Sequence, residues 1–304
     1  MTERRGTGVE TATLPLLGRS GGPSEADRVG RDRARSVRVF APSDRDRRRV
    51  VRWAARHANR TDACLQVIVD PDERFLVHGH PGGVVGLLGR TLRDLTGPLF
   101  PPLRPRPGSL VRDLAGVAAG TRLLAVSQSL PQLPELLDML SEPVVAVPDL
   151  PLPPAGAPVV LALAPWSGPE VVGTAFETAA RYGVGLQVVQ AVDRAEDSDE
   201  AVRACEDELA VWRLTRPEVD VDLEVVGRDP VDVLRRWARH IQLVVTGRPA
   251  RAGARASIDP SPASELIRTA TCPVLVVPSP GVPRPSRWAR PGWGLASWGR
   301  PAPT

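Results

Sequence analysis

The segment PVDVLRRWARHIQLVVT, residues 230–246, joins two patterns of apolar residues. In its first half apolar side chains recur at helical spacing, at Val233, Leu234, Trp237 and Ala238, and its second half contains the apolar run QLVVT. A helical pattern that leads directly into a short apolar run is typical of a helix that returns the chain to a buried parallel strand. The segment therefore predicts one helix–strand unit of an α/β sheet.

Four blocks of sequence, this unit among them, occur twice and in the same order. The pairs are SVRVFAP at 36–42 with VVLALAP at 159–165, LQVIV at 65–69 with LQVVQ at 186–190, LVRDLAGVAAGTRLLAV at 110–126 with PVDVLRRWARHIQLVVT at 230–246, and ELLDMLSEPVVAVP at 135–148 with ELIRTATCPVLVVP at 265–278. Their offsets are 123, 121, 120 and 130 residues. Four blocks at nearly constant spacing indicate a duplicated domain.

Each copy alternates short apolar runs with amphipathic helical patterns. The expected fold class is therefore α/β, with two tandem doubly wound domains, each a roughly five-stranded parallel sheet flanked by helices. In the first copy we expect the third strand near FPPLRPRPG, 100–108, where the prolines permit at most an edge strand. Before it, HGHPGGVVGLLGR at 78–90 is interpreted as a flexible loop that enters a helix at 84–95.

Composition places the boundaries of these two copies. The predicted organisation is a disordered tail at 1–35, a first domain at 36–149, a proline-rich linker at 150–157, a second domain at 158–278, and a second disordered tail at 279–304. Both tails are rich in Gly, Pro, Arg and Ser and show no apolar period. Three tryptophans in the last tail, Trp288, Trp293 and Trp298, are either part of a free tail or a short docking segment.

The composition excludes several classes of function. The sequence contains no Lys, which rules out Schiff-base chemistry and a P-loop lysine. No apolar run is long enough for a transmembrane helix or a signal peptide, so we expect a cytoplasmic protein. The net charge of +4 is modest, and Asp alternates with Arg in the basic stretch near residues 28–56, so nucleic-acid binding is not expected.

No catalytic or metal-binding set can be assembled from the sequence. His78 and His80 lack further ligands at metal-site spacing, and no nucleophile–base pair is evident. The three cysteines, at 64, 205 and 272, lie within apolar patterns and are interpreted as buried thiols. Trp53, Trp212 and Trp237 have helical spacing and are interpreted as packing residues. The chain is therefore expected not to be an enzyme.

The helix–strand passage DPVDVLRRWARHIQLVVTG and the closing TATCPVLVVP resemble the universal stress protein family, in a tandem two-domain form. The likeness covers about 36–149 and 158–278. Family members that bind ATP carry an acidic residue after the first strand and Gly-x2-Gly-x9-Gly-Ser or Gly-Thr after the fourth. Such glycines let main-chain N–H groups approach phosphates, and the hydroxyl adds a donor.

On this chain the glycine positions of that motif fall on Gly247, Ala250 and Pro260, followed by Ser261. Only the first is glycine, and proline offers no N–H to a phosphate. The acidic position falls on Ala164 or Pro165. Gly247, Arg248 and Ser261 are therefore the residues of a remnant site, with Arg248 able to attract phosphate. In the first copy ten residues are missing where this loop should be.

Two functions follow from the resemblance. The first is a non-catalytic stress-response accessory or regulatory protein that has lost nucleotide binding, has no cofactor, and acts through protein contacts. Its partner, or a second copy, would bind through the last strands of the sheets, PVVAVP at 143–148 and PVLVVP at 273–278. The alternative is a regulator that binds ATP in the second domain alone. The duplication also implies that the two copies pair with each other, as a dimer within one chain.

Overall fold

The computed structural model describes residues 36–40, 44–68, 76–79, 110–163, 167–192, 198–227, 230–237, 240–248 and 262–278. Ten strands lie in these ranges: β1 Ser36–Phe40, β2 Cys64–Ile68, β3 Leu76–Gly79, β4 Leu123–Ser127, β5 Val144–Val147, β6 Val159–Leu163, β7 Leu186–Ala191, β8 Val221–Val226, β9 Leu243–Arg248 and β10 Val274–Pro278. Seven helices lie in them: α1 Asp44–Thr61, α2 Leu110–Ala118, α3 Leu133–Met139, α4 Pro169–Tyr182, α5 Ser198–Thr215, α6 Pro230–Trp237 and α7 Pro262–Thr269.

All ten strands belong to one sheet in the order β3-β2-β1-β4-β5-β10-β9-β6-β7-β8. Read outward from its centre, each half of the sheet has the same strand order, because β5-β4-β1-β2-β3 corresponds to β10-β9-β6-β7-β8. The predicted α/β class is confirmed. The two sheets that we expected are joined, however, and β1 to β5 and β6 to β10 each form one half of a continuous sheet.

The junction between the halves is the antiparallel pair β5 and β10, in which Leu275 lies opposite Val145. Each of these last strands also has a parallel neighbour inside its own half, β4 for β5 and β9 for β10. The duplicated copies thus pair with each other within one chain, as the duplication implied. This pairing corrects the expectation that a partner binds through the last strands, because neither is a free edge of the sheet.

The sheet is covered by helices on both faces, and each face carries one apolar cluster. One cluster contains side chains from α1, α4 and α5, and the other contains side chains from α2, α3, α6 and α7. Alternate residues of a strand point to opposite faces, so Val145 joins the first cluster and Val144 the second. Because each cluster draws on both halves, the two halves share their cores.

After β2 the described chain contains a strand that was not predicted, β3, whose four residues pair antiparallel with β2. His78 therefore lies in a strand and not in the predicted loop. The segment 100–108, the predicted helix at 84–95 and both predicted tails lie outside the described residues.

Residues 198–227, at the outer end of the second half, form a surface with a charge of their own. They contain nine Asp or Glu and three Arg, a surplus of six negative charges in a chain whose net charge is +4. On α5 the side chains of Val211 and Leu214 are 63% and 83% exposed. The strand β8 beneath them has a neighbour on one side only among the described residues.

Candidate functional site

The carboxyl ends of β6 and β9 form the crevice where the strand order of the second half reverses. From β6 the chain continues to β7 on one side, whereas β9 and β10 lie on the other side. In open doubly wound sheets, ligands bind in the crevice at this switch point. Gly247 and Arg248, two of the predicted site residues, end β9 at this crevice. Ser261, the third, lies outside the described residues, as do 164–166 and 249–261.

Gly247 is buried and lies close to the start of α4. A Cβ at this position would be 3.1 Å from Val171 Cγ2 and 3.2 Å from Ser167 Oγ, which is tighter than most side-chain contacts. Ser167 is itself buried. The absence of a Cβ at Gly247 thus allows Ser167 and Val171, at the start of α4, to lie close to the backbone of β9. Close approach of this kind is a common reason for a glycine within a strand.

Arg248 points across the junction to the first half. Its Nη2 donates a hydrogen bond of 2.6 Å to the main-chain oxygen of Leu140, the residue that ends α3. The last carbonyls of a helix have no partner within the helix, and cations are favourable at this end. The guanidinium therefore satisfies a carbonyl of the opposite half.

Gln128 makes the equivalent contact in the opposite direction. Its Nε2 donates to the oxygen of Ala270, at 3.1 Å, and to that of Ile267, both at the end of α7 in the second half. Gln128 and Arg248 are 120 residues apart, the offset of the fourth strands, and Leu140 and Ala270 are 130 apart, the offset of the last blocks. A residue at the carboxyl end of each fourth strand thus caps a helix of the other half, and we call these two contacts the reciprocal caps.

In the first half, Ser127 occupies the position that Gly247 has in the second. Its side chain is buried, and its Oγ lies 2.8 Å from Ser129 Oγ, so the two hydroxyls are hydrogen-bonded. A hydroxymethyl group therefore stands where the family motif has its first glycine.

Replacing Arg248 with Ala should lower the free energy of unfolding by about 1 kcal/mol, because a half-buried hydrogen bond from a charged donor is lost. Chemical denaturation measures this change. The matched control is Arg235→Ala on α6, whose exposed side chain pairs with Asp232 and should contribute less than about 0.5 kcal/mol. Equal effects of the two substitutions would contradict a stabilising cap.

A second cluster of polar side chains lies at the junction, between α1 and α4. His57 is buried, stacks on Trp53 with ring centroids 5.0 Å apart, and is hydrogen-bonded through Nδ1 to Tyr182 Oη at 2.7 Å. Burial, followed by the nearby charges of Arg122, Arg60 and Arg181, lowers the pKa of His57 from 6.5 to about 3. The imidazole is therefore neutral at physiological pH.

Three arginines and one glutamate surround this histidine. Glu177 accepts hydrogen bonds from Arg122, at 2.7 Å, and from Arg181, at 3.1 Å. Burial raises the pKa of Glu177, but the two guanidinium groups outweigh burial and the pKa is lowered overall. Arg60 lies over the ring of Tyr182, 4.5 Å from its centroid, and donates to Gln242 Oε1.

Sequence reasoning missed both the reciprocal caps and the junction cluster. Gln128 could have been found, because the repeat offset of 120 places it opposite Arg248. The junction cluster had no such signal, because its members come from separate elements that meet only when the sheet closes at β5 and β10.

Two clefts are lined by described residues, one of about 130 Å³ at the junction cluster and one of about 310 Å³ beside β8.

The packing roles of the tryptophans are confirmed. Trp53 is buried, Trp212 stacks on Phe176 with centroids 6.1 Å apart, and Trp237 packs against the second apolar cluster. Of the cysteines, Cys205 and Cys272 are buried as predicted, whereas Cys64 is half-buried. Burial raises the pKa of the Cys272 thiol to about 12, and burial together with Glu208 and Glu206 raises that of Cys205 to about 12.

The described residues contain no group of three or more His, Cys, Asp or Glu side chains placed to hold a metal ion. None of the helices described has the length and apolar character needed to cross a membrane.

The strand order, the crevice at β6 and β9, and the helices on both faces define the second half as a doubly wound α/β domain. Residues 159–278 match the family model described as the universal stress protein family. The second half, β6 to β10, is therefore the part of the chain that is similar to this family in sequence.

Solved structures show the same fold over most of the chain. A universal stress protein from Archaeoglobus fulgidus DSM 4304 aligns with a TM-score of 0.56 at 12% identity, covering 82% of this chain and 97% of its own. A candidate universal stress protein from Pseudomonas aeruginosa UCBPP-PA14 aligns with a TM-score of 0.54 at 17% identity, covering 80% and 93%. A protein of unknown function from Pseudomonas aeruginosa PAO1 gives 0.51 at 16%, covering 81% and 92%. No curated protein sequence matches the chain.

Proposed function

We propose that this protein is a non-catalytic regulatory protein of the universal stress protein type, which acts in the cytoplasm through protein contacts. In this proposal neither half binds a nucleotide, and no cofactor takes part. The stress-response role rests on the family of residues 159–278.

The observation that carries the proposal is the position of Arg248. It is the one cationic side chain among the three predicted phosphate-binding residues, and its guanidinium donates to Leu140 of the other half. Gly247 beside it is closed in by Val171 and Ser167. A phosphate at this strand end would have to compete with the helix cap for the guanidinium, which supports the loss of nucleotide binding.

The proposal of protein contacts is supported by the outer end of the second half. Exposed apolar side chains at Val211 and Leu214 lie within a region of surplus negative charge. Apolar groups rimmed by charge are typical of surfaces that bind other proteins, and a basic partner has the complementary charge. Because the last strands pair within the chain, contacts at this outer end require no change in the sheet.

The alternative function is a regulator that binds ATP in the second half, with Gly247, Arg248 and Ser261 around the phosphates. The position of Gly247 at the switch point favours it, because this crevice is where doubly wound domains bind ligands. In this alternative Arg248 would leave Leu140 when the nucleotide binds.

A thermal-shift titration with ATP separates the two functions. A ligand at 100 times its Kd stabilises a protein by about 2.7 kcal/mol, which is readily seen as a rise in Tm. We expect no rise for this chain, and the same absence of a rise for Arg248→Ala. A saturable rise that Arg248→Ala abolishes would instead establish the alternative.

A further inference from the structure

We propose that the cleft between α1 and α4, where the two halves meet, binds a small tetrahedral oxyanion of the size of phosphate. The cleft has a volume of about 130 Å³, and both halves contribute to its lining. The first half supplies His57 and Arg122, the second supplies Glu177 and Arg181, and threonines of both α1 and α4 complete the polar lining. This site is independent of the proposed function, because it lies away from the crevice at β6 and β9.

The charge of the cleft is the first argument for an anion. Arg122 and Arg181 line it and Arg60 lies beside it, and Glu177 is the one carboxylate that lines it. Arg60 is held by neutral groups, namely Gln242, the oxygen of Ala155 and the Tyr182 ring. When Arg60 is counted, the three arginines exceed the one carboxylate by two positive charges, and His57 remains neutral beside them.

Unused hydrogen-bond donors are the second argument. A guanidinium has five N–H groups. Among the described residues, Arg122 donates to Glu177, and Arg181 donates to Glu177 and to the oxygen of Thr61. Both side chains are partly exposed, at 27% and 38%, so the remaining donors are accessible from solvent. The fork of a guanidinium matches the oxygens of phosphate in geometry as well as in charge.

The threonines limit how the anion is recognised. The hydroxyls of Thr61, Thr174 and Thr178 donate to main-chain oxygens of their own helices. They therefore offer the cleft no hydroxyl proton, and the arginines must supply the contacts. The volume accommodates a free ion better than a large phosphorylated molecule, which leads us to inorganic phosphate as the ligand.

The role of Glu177 gives the inference its sharpest test. Its carboxylate is shared by Arg122 and Arg181, offsets one of their two charges and would repel an incoming anion. Glu177→Gln keeps an acceptor for both guanidinium groups and removes the charge. We expect it to tighten phosphate binding by about tenfold, a change that corresponds to one nearby charge at a partly exposed site.

The experiment is a titration of the full chain with inorganic phosphate at constant ionic strength, followed by ³¹P line broadening and calorimetry. We expect saturable binding, weakened at least tenfold by Arg122→Gln, tightened by Glu177→Gln, and unchanged in the control Arg235→Gln. Sulfate should compete, whereas chloride should not. No binding, or binding that Arg122→Gln leaves unchanged, would overturn the inference, and so would weaker binding by Glu177→Gln. Circular dichroism of Arg122→Gln shows whether the variant is folded. A loss of phosphate binding by a folded variant cannot be caused by unfolding.

Discussion

Replacing Val145 with Asp should unfold both halves of the chain together. Val145 is fully buried in β5, opposite Leu275 of β10 at the antiparallel junction. An unpaired carboxylate in this position costs at least about 4 kcal/mol, a large part of the roughly 5–15 kcal/mol by which a domain is stable. We therefore expect a chain that is largely unfolded near 37 °C.

The loss should be shared because the halves have common cores. Val145 belongs to an apolar cluster that also contains Leu65 of the first half and Leu161 of the second. Thermal unfolding followed by circular dichroism should show one transition in the native chain and a loss of that entire transition in Val145→Asp. Val211→Asp, at an exposed position on α5, is the control and should change stability by less than about 0.5 kcal/mol. A variant in which one half keeps its own transition would contradict the shared core.

The second large effect is a loss of stability in acid that depends on His57. Burial, followed by Arg122, Arg60 and Arg181, lowers the pKa of this histidine from 6.5 to about 3 in the folded chain. Between these two pH values the unfolded chain binds a proton that the folded chain does not. The contribution of neutral His57 is thus present above pH 6.5 and is lost as the pH falls toward 3, by about 1.4 kcal/mol per pH unit.

A comparison of His57→Phe with the native chain separates the effect of His57 on the pH dependence of stability from the effect of carboxylate protonation. Glu177, whose lowered pKa also costs stability in acid, is retained in all the chains compared. In His57→Phe, the fall in unfolding free energy between pH 6.5 and 4.5 should be smaller than in the native chain by about 2–3 kcal/mol. The variant starts from a lower stability, because Tyr182 Oη loses its partner. Parallel profiles for the native and His57→Phe chains would contradict the account.

Much of the fold could be predicted because its strands are long apolar runs next to helical patterns. The apolar runs at 159–163, 186–191, 243–248 and 274–278 are strands in the structure. The nearly constant repeat offsets predicted that the same order of elements occurs in both halves. The strand β3 could not be predicted in this way. It has four residues and one neighbour, so few of its side chains need to be apolar, and its sequence LVHG carries little periodicity.

The candidate site was predicted in position but not in its contacts. The resemblance to the family motif placed Gly247 and Arg248 directly after the fourth apolar run of the second copy, and the structure has them at the end of β9. The motif could not show the direction of the long Arg248 side chain, because its acceptor, the oxygen of Leu140, lies 108 residues away in sequence. His57 and Tyr182 are similarly 125 residues apart, and only the closure of the sheet brings them together.

Equilibrium dialysis with labelled ATP is the most direct test of the claim that the strand ends join the two halves instead of holding a nucleotide. The Arg122→Gln chain is used, so that labelled inorganic phosphate released from ATP is not retained in the junction cleft, and Gly247→Pro in the same chain serves as the control. We predict that both chains retain the same amount of ATP. Saturable retention that Gly247→Pro and Arg248→Ala each abolish would contradict the account, because it would show a working phosphate site at the end of β9.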